Sequence, residues 1–418
     1  MPEVPPQIAS LADELSKCNR CGFCQTRCPV YRVTGREASV ARGHSARLRA
    51  VLDRQLPFDG ALRTSISECL MCRACTAECP PAIETDRLIA AARATYTSRR
   101  QPRLQRLIFR RLLSDRRRLR RAASLLRVAK RTGIASLSKL LRYLPWFRHL
   151  AAAPDLMPAP ASFLRARLPR AATVGLVSIS YFAGCAIEYA VPEVGEATYH
   201  VLRAAGYGLR LADNVCCGLP PYVYGDTDAA SRLARQNLAA FPGEGEVLTD
   251  CGSCASFLKE YPRRFAEGTP AYAQAEAFAA RVRDVTEFLA RVELPALRPV
   301  QGVVTYHDPC HLSRYQKLVR EPRALLARIP GIDYRELPEA DWCCGGAGSY
   351  SVAHPDTALP ILQRKMENVR RTGASLLVTA CPACVMQLRY GAARWGLPVE
   401  VLHVTELLRR ALPDGDAR

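Results

Sequence analysis

A chain of 418 residues that is 49% hydrophobic has apolar surface enough for two or three ordinary cores, so its stability does not need disulfides. The opening MPEVPPQIASLADELSKC has neither a basic n-region nor an apolar h-region, which argues against a small secreted disulfide scaffold and places the 18 cysteines in a reducing cytoplasm as metal ligands. The formal charge of +20 points to an anionic partner or surface, and the most apolar window, residues 171–187, is too broken by serines and glycines to span a membrane.

Residues 1–98 read as a first unit, a helical domain built to carry two clusters. Its centre is Cys18-Asn-Arg-Cys21-Gly-Phe-Cys24-Gln-Thr-Arg-Cys28-Pro29, and the same spacing returns at Cys69-Leu-Met-Cys72-Arg-Ala-Cys75-Thr-Ala-Glu-Cys79-Pro80. Three closely spaced thiolates, then a fourth followed by proline, form the run that holds 4Fe-4S clusters in bacterial-type ferredoxins, where the fourth cysteine ligates the other cluster. By that rule Cys18, Cys21, Cys24 and Cys79 hold one 4Fe-4S cluster, and Cys69, Cys72, Cys75 and Cys28 hold the second. Zinc takes two pairs of ligands instead of such a run. Arg42 to Arg54, with Leu48, Val51 and Leu52 at helical spacing, predicts a helix between the runs. His44 on that helix is read as a surface or core polar residue without chemistry.

Residues 99–144 read as a basic amphipathic helical segment with Leu104, Leu107, Ile108, Leu112 and Leu113 on its apolar face. Arg99 to Arg131 hold fourteen Arg and Lys residues against the single acid Asp115. A solvated face is the plain reading of such a run. The near absence of aromatic residues speaks against nucleic acid, leaving an acidic partner protein or peripheral contact with the inner face of a membrane. Residues 145–170, rich in proline and alanine, read as a linker.

From residue 171 strand and helix alternate, predicting two tandem α/β cysteine-rich domains, 171–295 and 296–418. In the first, strands are predicted at 174–182, 208–211 and 247–250, with helices at 194–205 and 229–240. In the second, strands fall at 303–306, 333–337 and 375–379, with helices at 320–329 and 356–371. Cys185, Cys216, Cys217, Cys251 and Cys254 lie at strand ends in the first, and Cys310, Cys343, Cys344, Cys381 and Cys384 in the second. Separations of 125, 127 and 130 residues relate Cys185 to Cys310, Cys216 to Cys343 and Cys251 to Cys381. Asp284-Val-Thr-Glu-Phe-Leu289 is echoed by His403-Val-Thr-Glu-Leu-Leu408, so the two halves are a duplication. Open α/β sheets place their sites at such strand ends.

Adjacent cysteines are poorly placed to bridge each other, because neighbouring Cα atoms are about 3.8 Å apart where a disulfide wants roughly 5.5 to 6 Å. They can aim two thiolates at neighbouring metals, with Gly218 and Gly345 supplying the backbone freedom of the crowded turn. Five thiolates per repeat is one more than a cubane or a zinc ion takes, which suggests a larger or non-cubane cluster. His307 and His311 flank Cys310 and are read as orienting hydrogen-bonding groups, with tuning or ligation of a cluster as the alternative. Gly345-Gly-Ala-Gly348 follows a cysteine pair and does not open a dinucleotide-binding βαβ unit, so no flavin or NAD is expected on this chain.

The repeated pattern of one cysteine, a Cys-Cys-Gly and a Cys-x-x-Cys resembles the CCG domains of heterodisulfide reductases. Two ferredoxin runs followed by two such domains are similar to the iron-sulfur subunits of glycolate oxidase and of related lactate and glycerol-3-phosphate dehydrogenases. The stretches Asp250-Cys-Gly-Ser-Cys254, His307-Asp-Pro-Cys310-His and Trp342-Cys-Cys-Gly-Gly-Ala-Gly-Ser-Tyr350 carry the likeness. The resemblance implies two ferredoxin-type 4Fe-4S clusters and one or two further clusters, non-cubane in the reductases. It also implies an FAD-containing dehydrogenase subunit as partner and a quinone or other electron acceptor. In this reading a 2-hydroxyacid is oxidised on the flavoprotein and this chain relays the electrons. In glycolate-oxidase-type subunits the second cysteine set is often incomplete, whereas here all ten are kept. That departure keeps open an alternative in which Cys310, Cys343, Cys344, Cys381 and Cys384 split a disulfide.

Overall fold

The structure, a computed structural model, describes residues 4–99, 101–133, 158–169 and 177–413. In the first unit short helices surround the cysteine runs. The predicted middle helix spans Ala41–Leu52 and turns His44, Leu48 and Val51 inward. The longer helix Thr85–Arg99 closes the unit against it.

The basic segment departs from one continuous amphipathic helix. Arg103–Leu107 is α-helical, Ile108–Leu112 widens into a π-helical turn, and a new helix starts at Arg116 and runs to Arg131. The break has a local cause. The Asp115 carboxylate accepts the N–H groups of Arg117 at 2.8 Å and Arg118 at 3.1 Å, an N-cap that starts a helix afresh. Leu104 and Leu107, placed by periodicity on a buried face, are 69% and 51% exposed, while Phe109 is buried and tilts onto Tyr224. The tail of the predicted linker also packs: Phe163, Leu164 and Leu168 are buried, and Leu164 fills the space that a side chain at Gly195 would need. Residues 134–157 of the predicted helix and linker lie outside the described residues. Among the described residues no helix is long and apolar enough to cross a membrane.

Each repeat folds into a four-stranded sheet with every pairing parallel. The first holds β1 (Val177–Tyr181), β2 (Tyr207–Leu211), β3 (Val247–Thr249) and β4 (Val282–Asp284), in the order β2-β1-β3-β4. The second holds β5 (Gly302–His307), β6 (Ile332–Tyr334), β7 (Leu376–Thr379) and β8 (Glu400–His403), in the order β6-β5-β7-β8. Both faces are covered by helices, so β3 and β7 are wholly buried and read as unbroken apolar runs. The chain leaves β1 to one side and returns as β3 on the other, so the crevice beyond these two strands is the topological switch point. β4 and β8 escaped the sequence reading because each runs straight into a helix, Val285–Leu289 and Val404–Ala411, with no turn residues to bound it.

The repeats pack on each other reciprocally. Helix Pro192–Ala204 lies on Val404–Ala411, and the equivalent pair Arg320–Ala327 and Val285–Leu289 does the same with the roles exchanged. Gly252–Lys259 meets Cys310–Ser313, as Pro382–Arg394 meets Cys185–Tyr189. This is the contact pattern of an isologous dimer, formed here within one chain about a pseudo-twofold axis. The cluster-run unit sits across both halves. The Arg93 guanidinium is buried and donates to the carbonyls of Ile66, Cys69 and Val223. Tyr350 Oη donates to the Glu68 carbonyl at 2.8 Å and Tyr315 Oη to that of Met71 at 2.8 Å.

Candidate metal centres

All eighteen cysteines are described and none is in a disulfide. In the first unit, Cys18, Cys21, Cys24 and Cys79 line one cleft of about 530 Å³ together with Cys75. Cys28 stands instead beside Cys69 and Cys72, and Cys75 faces the same three. The backbone around each run is bent in the same way. Arg20 and Met71 occupy equivalent places with φ of +54° and +51°, and Gly22 and Arg73 follow with +89° and +55°. Left-handed arginine and methionine cost energy and turn successive N–H groups inward, a concavity suited to an electron-rich core.

Burial pushes the Cys28 thiol up to about 12 and Cys69 up to about 11. Thiols so desolvated ionise only when positive charge is brought to them, and metal ions bring it. The donor set therefore fits iron or another thiophilic metal.

In the first repeat Cys185 follows β1, Cys216 and Cys217 follow β2, and Cys251 and Cys254 follow β3, so the five thiols converge at the switch point. Sulfur contacts run Cys185 to Cys216, Cys216 to Cys217, Cys217 to Cys254 and Cys254 to Cys251. Thiol donors from Cys216 and Cys254 bring Cys217 down to about 5. The second repeat repeats the device: Cys310 meets Cys343, and Cys343 and Cys384 both contact Cys344, which lies 3.6 Å from Cys384 and is held well below the usual thiol range by those two contacts. Gly218 and Gly345 have φ of +97° and +77°, and a Cβ on Gly345 would stand 2.8 Å from the Ala358 carbonyl. The glycine after each cysteine pair is thus required by both conformation and space.

Two junctions join the sites, and neither was legible in the sequence. Cys251 and Cys381, equivalent residues of the two repeats, touch each other across the pseudo-twofold axis. Ser253 Oγ adds a contact of 3.4 Å to Cys381 Sγ. At the other junction Cys72 of the first unit touches Cys343, with Trp342, Tyr350 and Ile361 packed around them. The Arg314 guanidinium, close to Cys72, Cys310 and Cys343, donates to the Cys72 carbonyl at 3.2 Å. The thiols are therefore in contact from Cys72 through both CCG sites to Cys185, and Cys75 brings the second cysteine group of the first unit to the cleft lined by Cys18, Cys21, Cys24 and Cys79. At the Cys185 end Arg116, Arg165, Glu188 and Tyr189 line a smaller cleft.

The histidines separate by their partners. His311 Nδ1 meets Ser256 Oγ at 2.8 Å and its ring stacks on Tyr315, the orienting role expected. His403 Nδ1 caps its helix through Thr405 and its Nε2 meets the Asp250 carbonyl at 3.0 Å. His307 lies within 4.8 Å of the Cys344 and Cys384 sulfurs and has no hydrogen-bond partner at either ring nitrogen. Burial brings His307 and His44 down to about 3, so both rings are neutral. Lys365, fully buried, donates to the carbonyls of Glu339 and Ala340 and faces Cys344 and Cys343. It lies within a helix of ordinary amphipathic spacing, so no local signal marks it.

Comparison with known proteins agrees with this arrangement. Residues 14–83 match the 4Fe-4S dicluster domain, and residues 179–259 and 304–389 each match the cysteine-rich CCG domain. The chain is 33% identical to the probable glycolate oxidase iron-sulfur subunit of Bacillus subtilis, over 95% of this chain and 94% of that protein. Lactate utilization protein A of Geobacillus kaustophilus is 32% identical over 56% of this chain and 98% of its own length. A fumarate reductase (CoM/CoB) subunit of Methanothermobacter marburgensis is 35% identical over 56% of this chain and 47% of its own. With cluster runs, doubled CCG sheets and a relative matched from end to end, the chain belongs to the glycolate oxidase iron-sulfur subunit family of CCG-domain iron-sulfur proteins.

Proposed function

We propose that this chain is the electron-transfer subunit of a dehydrogenase acting on glycolate or a D-lactate-type 2-hydroxyacid. A separate FAD-containing subunit takes the hydride, and electrons then pass singly through this chain to a quinone or other acceptor. Cys18, Cys21, Cys24 and Cys79 hold one 4Fe-4S cluster, and Cys69, Cys72, Cys75 and Cys28 the second. The five cysteines of each CCG repeat hold a further cluster. The observation that carries this reading is the series of thiol contacts from Cys72 through both CCG sites. With the clusters in place it puts the first unit next to the second CCG site, and that site next to the first.

The basic helix Arg116–Arg131, which leaves Leu125 and Val128 70% and 53% exposed, is the docking face for an acidic partner or anionic membrane. The test is reduction of the clusters, followed by electron paramagnetic resonance, when glycolate or D-lactate is added to the chain with its co-purified flavoprotein. Oxidation of the acid by this chain alone, or clusters left oxidised beside a turning-over flavoprotein, would sink the proposal.

A second reading, disulfide cleavage at Cys310 to Cys384, is favoured by the complete five-cysteine set there. It predicts a new paramagnetic cluster signal when a candidate thiol is added to the oxidised protein.

A further inference from the structure

The two CCG sites share a backbone but not their surroundings. Tyr181 pairs with Leu248 across β1 and β3, and Tyr306 pairs with Val378 at the same register across β5 and β7. The next residue in each strand is therefore equivalent, Phe182 in the first repeat and His307 in the second. Phe182 is buried and stacks on Phe241, an ordinary core contact. His307 is as deeply buried, 1% exposed, yet both of its ring nitrogens lack a protein partner.

The same exchange recurs around it. Phe257, one turn beyond Cys254, corresponds to Gln387 one turn beyond Cys384. Gln387 is buried with its amide nitrogen unpartnered, beside the space that separates Gly346 from Cys344. Asn237, which satisfies the backbone of the first site by bonding Val215 and Cys216, corresponds to Lys365.

A buried imidazole without partners is costly, because its water is gone and nothing replaces it. The Ala340 carbonyl reaches towards the His307 ring, but it already accepts from the Asp308 N–H at 3.0 Å and from Lys365 Nζ at 3.1 Å and so satisfies the imidazole poorly. By contrast His311, half-buried, and His403, fully buried, are both engaged by protein oxygens. What His307 does have is sulfur: one ring nitrogen and the Cys344 and Cys384 Sγ atoms all lie within 4.8 Å of one another. A neutral imidazole with a free lone pair beside two thiols is a metal-binding set, since imidazole suits iron as thiolate does.

We propose that His307 is a nitrogen ligand of the second CCG site, bound to the iron that Cys344 and Cys384 also hold. The proposal rests on the reading that iron-sulfur clusters occupy the CCG sites. The first site, with Phe182 in that place, is then ligated by sulfur alone. The imidazole joins the five thiolates of the second site as a neutral donor and so leaves that cluster less negative than a further thiolate would. The neighbouring Lys365 and Arg314 charges favour the reduced state of the same site.

The test uses the full chain, reconstituted with iron and sulfide and labelled with nitrogen-15 histidine. Pulsed electron paramagnetic resonance of the reduced protein is expected to show one strongly coupled nitrogen, several-fold stronger than the coupling through a hydrogen bond. The coupling should vanish in His307→Phe, the residue that the first repeat carries, and in His307→Cys. The latter keeps its iron by supplying a thiolate and lowers the potential of that cluster in a redox titration. A strong coupling that survives both substitutions, or none in the parent chain with all clusters present, overturns the ligand assignment and leaves the cluster reading standing. Iron content that accounts for the two ferredoxin-type clusters alone overturns the cluster reading, and the ligand assignment with it.

Discussion

Cys251 and Cys381 stand at equivalent positions of the two repeats and touch each other across the pseudo-twofold axis, yet their neighbours differ. Ser253 reaches Cys381 at 3.4 Å, while the residue equivalent to Ser253 in the second repeat is Ala383, which has no hydroxyl to offer Cys251. A hydrogen bond to a cluster sulfur favours the reduced, more negative state. Ser253→Ala is expected to lower the midpoint potential of the second CCG site and leave the first unchanged, as read by a redox titration followed spectroscopically. Ser253→Thr, which keeps the hydroxyl, should restore the parent value.

Gly345 joins a left-handed φ of +77° to a Cβ position 2.8 Å from a backbone carbonyl, whereas Gly35 has φ of +64° and open space around it. Gly345→Ala is expected to cost about 3 kcal/mol, the ~1–2 kcal/mol penalty of the conformation plus the displacement of a packed helix. Gly35→Ala should cost about 1 kcal/mol. Denaturant midpoints of the two variants measure the difference.

Asp284 caps the helix Val285–Leu289, its Oδ1 accepting from the Thr286 N–H at 2.9 Å and the Thr286 hydroxyl at 2.6 Å, while Oδ2 is unpartnered. Burial pushes its carboxyl up to about 7. Between its ordinary carboxylate value and pH 7 the folded chain therefore holds a proton that the unfolded chain has released. This group's contribution to stability is full in acid and falls as the pH rises through that window, by up to about 1.4 kcal/mol per unit. Asp284→Asn keeps the cap and removes the slope. Compared with the parent by urea unfolding, it should gain stability from pH 5 to about pH 7 and level off above that.

Arg116 is paired with Asp213, and Arg118 with the capping Asp115, whereas Arg117, Arg120 and Arg121 are exposed on the same helix. Reversing these three to glutamate should leave the thermal midpoint within about 1 kcal/mol of the parent in stability, because exposed charges contribute little. It should also raise the unassembled fraction on co-purification. An unchanged assembled fraction would return the segment to a solvated face.

The metal-bearing residues were the most legible part of this chain, because a cluster imposes a sequence spacing that no packing pattern imitates. Both cysteine runs and both CCG sets could be read for that reason, and the alternation of strand and helix made β1, β2, β3, β5, β6 and β7 legible. The missing detail was of two physical kinds. Edge strands such as β4 run directly into a helix with no turn residues to bound them, and Asp115 ended a helix that hydrophobic spacing alone would have continued. The junctions at Cys72 with Cys343 and Cys251 with Cys381 join residues 271 and 130 positions apart, a matter of tertiary packing that local spacing does not encode. His307 was noticed for its neighbour in sequence, Cys310, although a ring nitrogen lies within 4.8 Å of the Cys344 and Cys384 sulfurs.

The reciprocal packing of the repeats means that this chain is, in effect, a homodimer whose two copies were fused end to end. A true homodimer is condemned to sameness, since every substitution appears twice and any electron shared across its axis has no preferred side. Fusion frees each half to change alone. Phe182 against His307, Asn237 against Lys365 and Ala383 against Ser253 are the marks of that freedom, by which a junction of mirror-like halves acquires an uphill and a downhill side.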